Sequence, residues 1–585
     1  MLVVAVWRLM VLTGWSWSQD DWVYLRDAAN TPFWAYVTQD YKGHLMPLQF
    51  AINWVLREVA PLNFGYAVAI IVALNLASLF VWMLVYERIF GPRVANLIPF
   101  VLLALSPLLL VAATWWAAAT QTLGMQLSAG LVALATVAWA QRPSRSTLVW
   151  LGSAYVLGLL FWQKALLLTI LVPFLVVMVT HGELRERLRM ARRPSVVVAL
   201  ISVIYLPLYL YVTSRNVGTG TQFSTRSVSE VVGFFFSGTI DTAIPALLGG
   251  PWHSPGTPSE FTASTGALPL LLVMVFIAVV GLALRIWRES WIPFLLAVTY
   301  AFASWGLVLF SSRYDALGAF AARDFRYGAD VFVVLLLAMT LMLMTPQGQR
   351  RELRPTAGWA ATAYSSTARR RLTVSAVILV AISTAVGNGR MWEGLQQRSP
   401  KEWVDNVLAD ARAHPEAKLS NEQVPDRVMQ ALYFPSDAQV STILDAAGLP
   451  MAFDEPSENQ VIVGPEGRFH HFEVDPISTN AGPDPTPDCG YAVAPGRAAT
   501  IPMTRELYNW RWGVELDYFS GGAGVLRVRG STTSASIPYQ EGLHSITWAT
   551  VDEVTDLTVQ VEPGSEPLCI TSVKVGNPKP GELLE

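Results

Sequence analysis

Apolar stretches of roughly 17 to 25 residues, each long enough to cross or nearly cross a bilayer, recur from the first residue to about 388 and leave that region little alternative to membrane-spanning helices. They run approximately over 1–17, 62–86, 94–113, 117–140, 147–163, 165–180, 195–213, 264–284, 291–311, 328–345 and 372–388, which makes eleven. Gln163 and Lys164 interrupt an otherwise continuous run over 147–180, which is read as two short spans rather than one re-entrant pair. Hydrophobic residues make up 52% of the chain and charged residues 15%, against about a quarter charged in ordinary soluble domains. The net charge of -3 supplies none of the basic excess that nucleic-acid binding requires, and that class of partner is set aside.

Alternating eleven spans assigns every loop to one side, and the positive-inside rule predicts where arginines collect. With the N-terminus in the cytoplasm, Arg88, Arg93, Arg142, Arg145, the cluster Arg185, Arg187, Arg189, Arg192 and Arg193, then Arg285, Arg288 and the arginines of 350–371 all fall inside. The exterior receives about 18–61, 214–263 and 312–327, plus everything after about 389. The first span is short and contains Arg8, so either the true start lies upstream or Arg8 snorkels. A cleaved signal peptide fits less well, because no small-residue cleavage site precedes Gln19. The preference for Arg, Ala, Val, Trp and Pro is that of GC-rich bacterial genomes, and a bacterial plasma membrane is expected.

Beyond the membrane region, 1–388, the text changes. Residues 389–480 read as an exterior linker segment of mixed helix and strand, and 481–585 as a β-sandwich. Tyr508, Trp510, Trp512, Val514, Leu516 and Tyr518 alternate with mostly polar or small residues, the mark of a half-buried strand. Trp510 and Trp512 fit sugar-stacking platforms, but a face shared with Val514 and Leu516 favours core packing. The two cysteines, Cys489 and Cys569, are expected to pair if this part sits in an oxidising compartment, stapling terminal strands of the sandwich; two buried thiols are the alternative.

The residues able to carry chemistry gather on the exterior side. Asp20 and Asp21 follow the first span in SQDDWVYL; they are a polar cap of that span or a catalytic carboxylate pair. Lys164 stands at the outer end of a span with no charged sequence neighbour, and a lysine in that setting is usually retained for a partner or an anionic ligand, with a snorkelling lysine as the alternative. Arg323, Arg326 and Tyr327 lie in ARDFRYGAD, where exterior arginines run against the positive-inside bias. They read as binders of a lipid phosphate, with pairing to Asp324 or Asp330 as the alternative. A carboxylate to accept a hydroxyl proton and cations to stabilise a departing phosphate are the minimum equipment for glycosyl transfer from a polyprenyl phosphate. Glu230 and Asp241 are candidates to assist acceptor or metal binding. Zinc spacing and an EF-hand loop are both missing from the sequence, so any metal is expected to be Mg, Mn or Ca on Asp20 and Asp21.

The order of these features resembles the C-type glycosyltransferase (GT-C) superfamily, especially the branch of protein O-mannosyltransferases and their TPR-containing relatives. The matching stretches are QDDW after the first span, GHLMPLQF with Pro47 and Leu48, LSPLLLVAATWW with Pro107, Trp115 and Trp116, FWQKALLL with Lys164, and FRYGAD. They cover about 1–345. Ala165 follows the lysine where the family usually has Glu, and His44 stands where many relatives have Arg. The resemblance implies a GT-C-like fold with membrane-parallel helices in the first exterior loop. It implies inverting transfer from a polyprenyl-phosphate sugar to a cell-envelope glycan, glycolipid or protein, with Asp20 or Asp21 as base. His44, Trp115, Trp116 and Glu230 become candidate sugar contacts. The β domain resembles carbohydrate-binding modules appended to some bacterial cell-wall glycosyltransferases. A flippase of lipid-linked sugars and an inactive glycan-binding scaffold are the rival readings; the internal repeats frequent in transporters are not found.

Overall fold

A computed structural model describes residues 1–214, 225–252, 267–349, 366–480 and 489–585. The chain divides into two compact units, Met1–Ser399 and Pro400–Glu585.

The first unit is helical. In chain order its helices are α1 (Leu2–Thr13), α2 (Asp20–Asn30), α3 (Phe33–Val37), α4 (Pro47–Val59), α5 (Phe64–Phe90), α6 (Leu97–Ala104), α7 (Pro107–Thr114), α8 (Trp116–Gln141), α9 (Arg145–Phe161), α10 (Leu168–Val179) and α11 (Leu184–Thr213). There follow α12 (Val228–Ser237), α13 (Ile244–Leu247), α14 (Ala267–Ile286), α15 (Trp291–Leu309), α16 (Ser312–Leu317), α17 (Phe325–Leu343) and α18 (Ser366–Gln396). Local chemistry sets the ends. The Asn63 side chain accepts from Gly65 N at the start of α5, and Gly91 at φ 73° closes it, as an asparagine cap and a left-handed glycine do. Ser106 followed by Pro107 at the first helical position separates α6 from α7.

Each of the eleven expected stretches contains helix among its described residues, but by length and composition eight described helices can cross a membrane, and four more are shorter apolar helices. Two differences from the sequence reading follow. The first span, α1, has 12 residues, about 18 Å, and its Arg8 does not snorkel: it is 1% exposed, one of the four buried residues of the helix with Val4, Val11 and Leu12. The eighth long helix, Val228–Leu247, lies where an exterior loop was expected, because Glu230 and Asp241 interrupt its apolar run. Just ahead of it, Arg226 Nε donates to Leu309 O at 3.2 Å; just past it, Ser383 Oγ donates to Leu248 O at 2.6 Å. Leu309 closes α15, whereas Ser383 lies near the middle of α18, so the two ends of the stretch are held by different helices.

Small residues bring helices close where the site is built. A Cβ on Gly158 of α9 would meet Ser128 Oγ of α8 at 2.4 Å, and one on Gly124 would meet the Phe161 ring at 2.4 Å. This is the small-residue packing favoured between membrane helices. It fixes the 3₁₀ turn Gln163–Leu167 against α8.

The second unit carries ten strands: β1 (Lys418–Leu419), β2 (Ala452–Phe453), β3 (Gln460–Val463), β4 (Phe469–Thr479), β5 (Tyr491–Val493), β6 (Ala498–Ser520), β7 (Gly524–Arg529), β8 (Ser534–Tyr539), β9 (Gly542–Val561) and β10 (Leu568–Leu583). The expected two-sheet sandwich is instead one sheet, ordered β2-β1-β3-β4-β10-β6-β9-β7-β8 with β5 on β10. Strands from 389–480 belong to that same sheet. Register shifts at Pro502/Leu507, Leu507/Trp510 and Ile570/Ser572 bend strands that are up to 23 residues long, so the sheet curls into a half-barrel that buries its own inner face. Trp512, Val514, Leu516 and Tyr518 fill that face. Trp510 departs from the expected core position: next to the Leu507/Trp510 shift it is 57% exposed, beside Tyr508. Cys489 and Cys569 form a disulfide, tying the segment before β5 to the start of β10.

Candidate active site

Asp20 and Asp21 occupy the first turn of α2, yet their surroundings differ. Asp21 is fully buried. Its Oδ2 accepts the Ser18 amide at 3.0 Å and its Oδ1 the Ala117 amide at 2.9 Å. Ala117 is the second residue of α8, so this carboxylate supplies acceptors at the N-termini of two helices, where orphan amides and helix dipoles favour an anion. Burial, then the adjacent Asp20, push Asp21 well above the usual carboxylate range, opposed by the amides of Ser18, Ala117 and Trp116.

Asp20 is half-buried and receives the Trp115 indole N–H on Oδ1 at 2.7 Å; its other oxygen has no hydrogen bond among the described residues. Burial raises its pKa, while Lys42, the Trp115 hydrogen bond and Arg326 draw it down. The result is a carboxylate with one oxygen fixed, one open, and two cations within electrostatic reach.

The expected phosphate-binding cations all have carboxylate partners. Arg326 lies 4.4 Å from the centre of the Trp115 ring, and its Nε bonds Asp324 at 3.0 and 2.9 Å. Tyr327 stacks its ring 5.2 Å from the same guanidinium. Lys164 Nζ donates to Asp330 Oδ1 at 2.6 Å and to Tyr327 O at 3.2 Å, and Ser304 Oγ donates to Asp330 Oδ2 at 2.7 Å. Arg323 bonds Asp241 at 3.1 Å. The carboxylate-pairing alternative is therefore present, with Arg326 still facing Asp20 across Trp115.

His44 is delivered by a tight turn. Lys42 and Gly43 have φ of 49° and 79°, the pair of left-handed residues a two-residue hairpin needs. Tyr41 and His44 exchange backbone hydrogen bonds at 3.1 and 2.9 Å, and Asp40 Oδ1 accepts from Gly43 N at 2.9 Å. The His44 ring meets Arg313 through Nε2 and Gln163 through Nδ1, and Tyr209 Oη donates to Gly43 O at 2.9 Å. Burial, then Arg313, hold His44 well below its ordinary pKa.

Arg313 escaped the sequence reading. The signal was available, since it lies in the same exterior segment as Arg323 and Arg326, but no adjacent tyrosine motif drew attention to it. Among the described residues it has no carboxylate partner. Two expected sugar contacts lie elsewhere. Trp116 is fully buried and donates to Asn53 Oδ1 at 3.0 Å. Glu230 closes a capping box with Ser227 at the start of α12 and accepts from Tyr314 Oη at 3.2 Å.

A divalent cation needs an open set of oxygens. Both Asp21 oxygens are taken by amides and one Asp20 oxygen by an indole; no group of three His, Cys, Asp or Glu able to hold a metal is present among the described residues. The pair does not fit a metal centre, and no step below passes through one.

No protein-family model matches the chain, and no curated protein matches it. Among solved structures it shows likeness to the arabinofuranosyltransferase AftD from Mycobacteria, with 11% identity over 100% of this chain and 60% of that one and a TM-score of 0.36. The Archaeoglobus fulgidus oligosaccharyltransferase gives 13% identity over 77% and 61%, also at 0.36. The arabinosyltransferase EmbB from Mycobacterium smegmatis gives 12% over 100% and 64%, at 0.25. This chain spans less than two thirds of the length of each. At such TM-scores the likeness carries neither fold nor activity over to this chain.

Proposed function

We propose that the protein is a multi-pass membrane glycosyltransferase that transfers a sugar, with inversion, from a polyprenyl-phosphate donor to a cell-envelope glycan, glycolipid or protein on the outer face of the plasma membrane. The reading agrees with the ordered motifs that resemble GT-C enzymes of the O-mannosyltransferase branch. The observation that carries it is Asp20: one oxygen held by Trp115, the other without a hydrogen bond among the described residues, with Lys42 and Arg326 within electrostatic reach.

In this mechanism the second Asp20 oxygen accepts the proton of an acceptor hydroxyl as the hydroxyl oxygen attacks the anomeric carbon. The bond from that carbon to the phosphate oxygen breaks on the opposite face, its electron pair leaves with the polyprenyl phosphate, and the configuration inverts. Cations near Asp20 stabilise the growing charge on the leaving group. Asp21 positions Asp20 by tying α2 to α8, and takes no proton from the acceptor.

The test is transfer of radiolabelled sugar from a panel of polyprenyl-phosphate donors to envelope extract, with wild-type and Asp20→Asn membranes. Donor-dependent transfer that disappears in Asp20→Asn is expected. Undiminished transfer in the variant would remove the proposed base, and donor translocation in proteoliposomes without transfer would replace the enzyme by a flippase.

A further inference from the structure

We infer that the donor occupies two neighbouring features, its phosphate at Arg313 and His44 and its isoprenoid tail in the apolar groove between α9 and α11; this assignment rests on the polyprenyl-donor reading above. The groove has a volume of about 600 Å³ and is lined by Leu148, Gly152, Ser153, Val156, Leu160 and Val197 among others. On α9 these residues recur at helical spacing along one face, from Leu148 to Leu160, a rise of about 18 Å. Gly152 opens its floor: a Cβ there would come to 3.4 Å from Ile201 and 3.5 Å from Val197 of α11.

Both walls end at the same place. Three residues beyond Leu160, Gln163 meets His44, and α11 reaches the same turn through Tyr209 on Gly43 O at 2.9 Å. Lower down, Tyr155 and Ser202 join the two helices at 2.6 Å. Next to the outer end of the groove lies a cluster that holds Arg313, His44 and Gln163. The Tyr41–His44 turn packs on α2, the helix that begins at Asp20, with the Tyr41 and Tyr24 ring centres 4.7 Å apart.

Charge and polarity together define the occupant. An apolar channel at membrane depth suits a hydrocarbon chain, and a cation with no carboxylate partner at its outer end suits an anion. Arg313 is better placed for the phosphate than Lys164, Arg323 or Arg326, each of which already faces a carboxylate. An amphiphile carrying both parts satisfies groove and cluster at once, with its sugar toward Asp20.

The experiment is photo-crosslinking of the full chain in nanodiscs with a sugar-free polyprenyl phosphate bearing a diazirine in its isoprenoid tail, read by peptide mass spectrometry. Labelling within 145–161 is expected, displaced by unlabelled polyprenyl phosphate and not by dioleoyl phosphatidic acid. Ser153→Trp and Val149→Trp, which fill the groove from its exposed side, should abolish it. Arg313→Ala should raise the displacing concentration roughly tenfold, the value of one charge-assisted hydrogen bond. Labelling elsewhere, or equal displacement by phosphatidic acid, would overturn the assignment. Sugar transfer measured on the same samples separates the two ideas: transfer without groove labelling removes the assignment alone, and groove labelling without transfer removes the enzyme alone.

Discussion

The Trp115 indole donates to Asp20 Oδ1 at 2.7 Å, joining the first turn of α2 to the residue just ahead of α8. The same ring presents its face to Arg326 at 4.4 Å. Trp115 therefore holds a carboxylate on its edge and a guanidinium on its face, polar edge to anion and electron-rich face to cation.

That contact should be visible in the pH dependence of transfer. Burial raises Asp20 and the Trp115 hydrogen bond opposes the rise. A base works only when deprotonated, so kcat/KM should climb with pH through an inflection above the ordinary carboxylate range. Trp115→Phe keeps an aromatic ring but removes the donor, and the inflection should move further alkaline. A pH–rate profile that stays put in Trp115→Phe would detach Asp20 from the rate.

The two aspartates should separate by stability. A buried Asp20 with a raised pKa favours the protonated folded state, so its contribution to stability is present in acid and is lost as pH rises through the raised value. Asp20→Asn should then match the wild type near about pH 3 and exceed it at neutral pH, while transfer is lost. Asp21→Ala orphans the Ser18 and Ala117 amides and should cost roughly 1–3 kcal/mol for each. Thermal unfolding of both variants across pH checks the division.

How far the sequence carried is plain in particular residues. The eleven apolar stretches and the Cys489–Cys569 pair were legible because hydropathy, compartment and cysteine count depend on composition and local order. That Asp21 rather than Asp20 has both oxygens taken was not, since it turns on the amides of Ser18 and Ala117, residues far apart in the chain. Lys164 and Asp330 are 166 positions apart, and sequence spacing says nothing of their contact. The half-barrel was missed because alternation of Trp512, Val514 and Leu516 reads the same in a sandwich and in one curled sheet; the register shifts decide between them.

The disulfide closes a long loop, its cysteines 80 positions apart, and in the chain-entropy account the contribution of such a bond grows with loop length. The Cys489→Ser, Cys569→Ser double variant should lower the stability of the second unit by roughly 2–5 kcal/mol. Transfer at low temperature, measured beside unfolding of the β-sheet signal, should survive if the first unit holds the chemistry. A double variant as stable as the wild type would show that the sheet needs no such tie.

Lys164 and Asp330 offer the sharpest test of which cations act on the donor. Their side chains are 6% and 4% exposed and meet at 2.6 Å, with Ser304 on the second carboxylate oxygen at 2.7 Å. Removing one partner leaves a buried charge uncompensated and typically costs roughly 3–5 kcal/mol, whereas replacing both by apolar residues of similar size is often neutral. Lys164→Met and Asp330→Leu should each unfold at lower temperature in detergent, and the double variant should recover most of the loss. If the pair is purely a brace between the Gln163–Leu167 turn and α17, transfer recovers along with stability. A double variant that is stable yet inactive, with KM for the donor raised, would instead make Lys164 a phosphate ligand that exchanges Asp330 for substrate. The expected outcome is recovery of both, since Arg313 is the cation here with no carboxylate partner among the described residues.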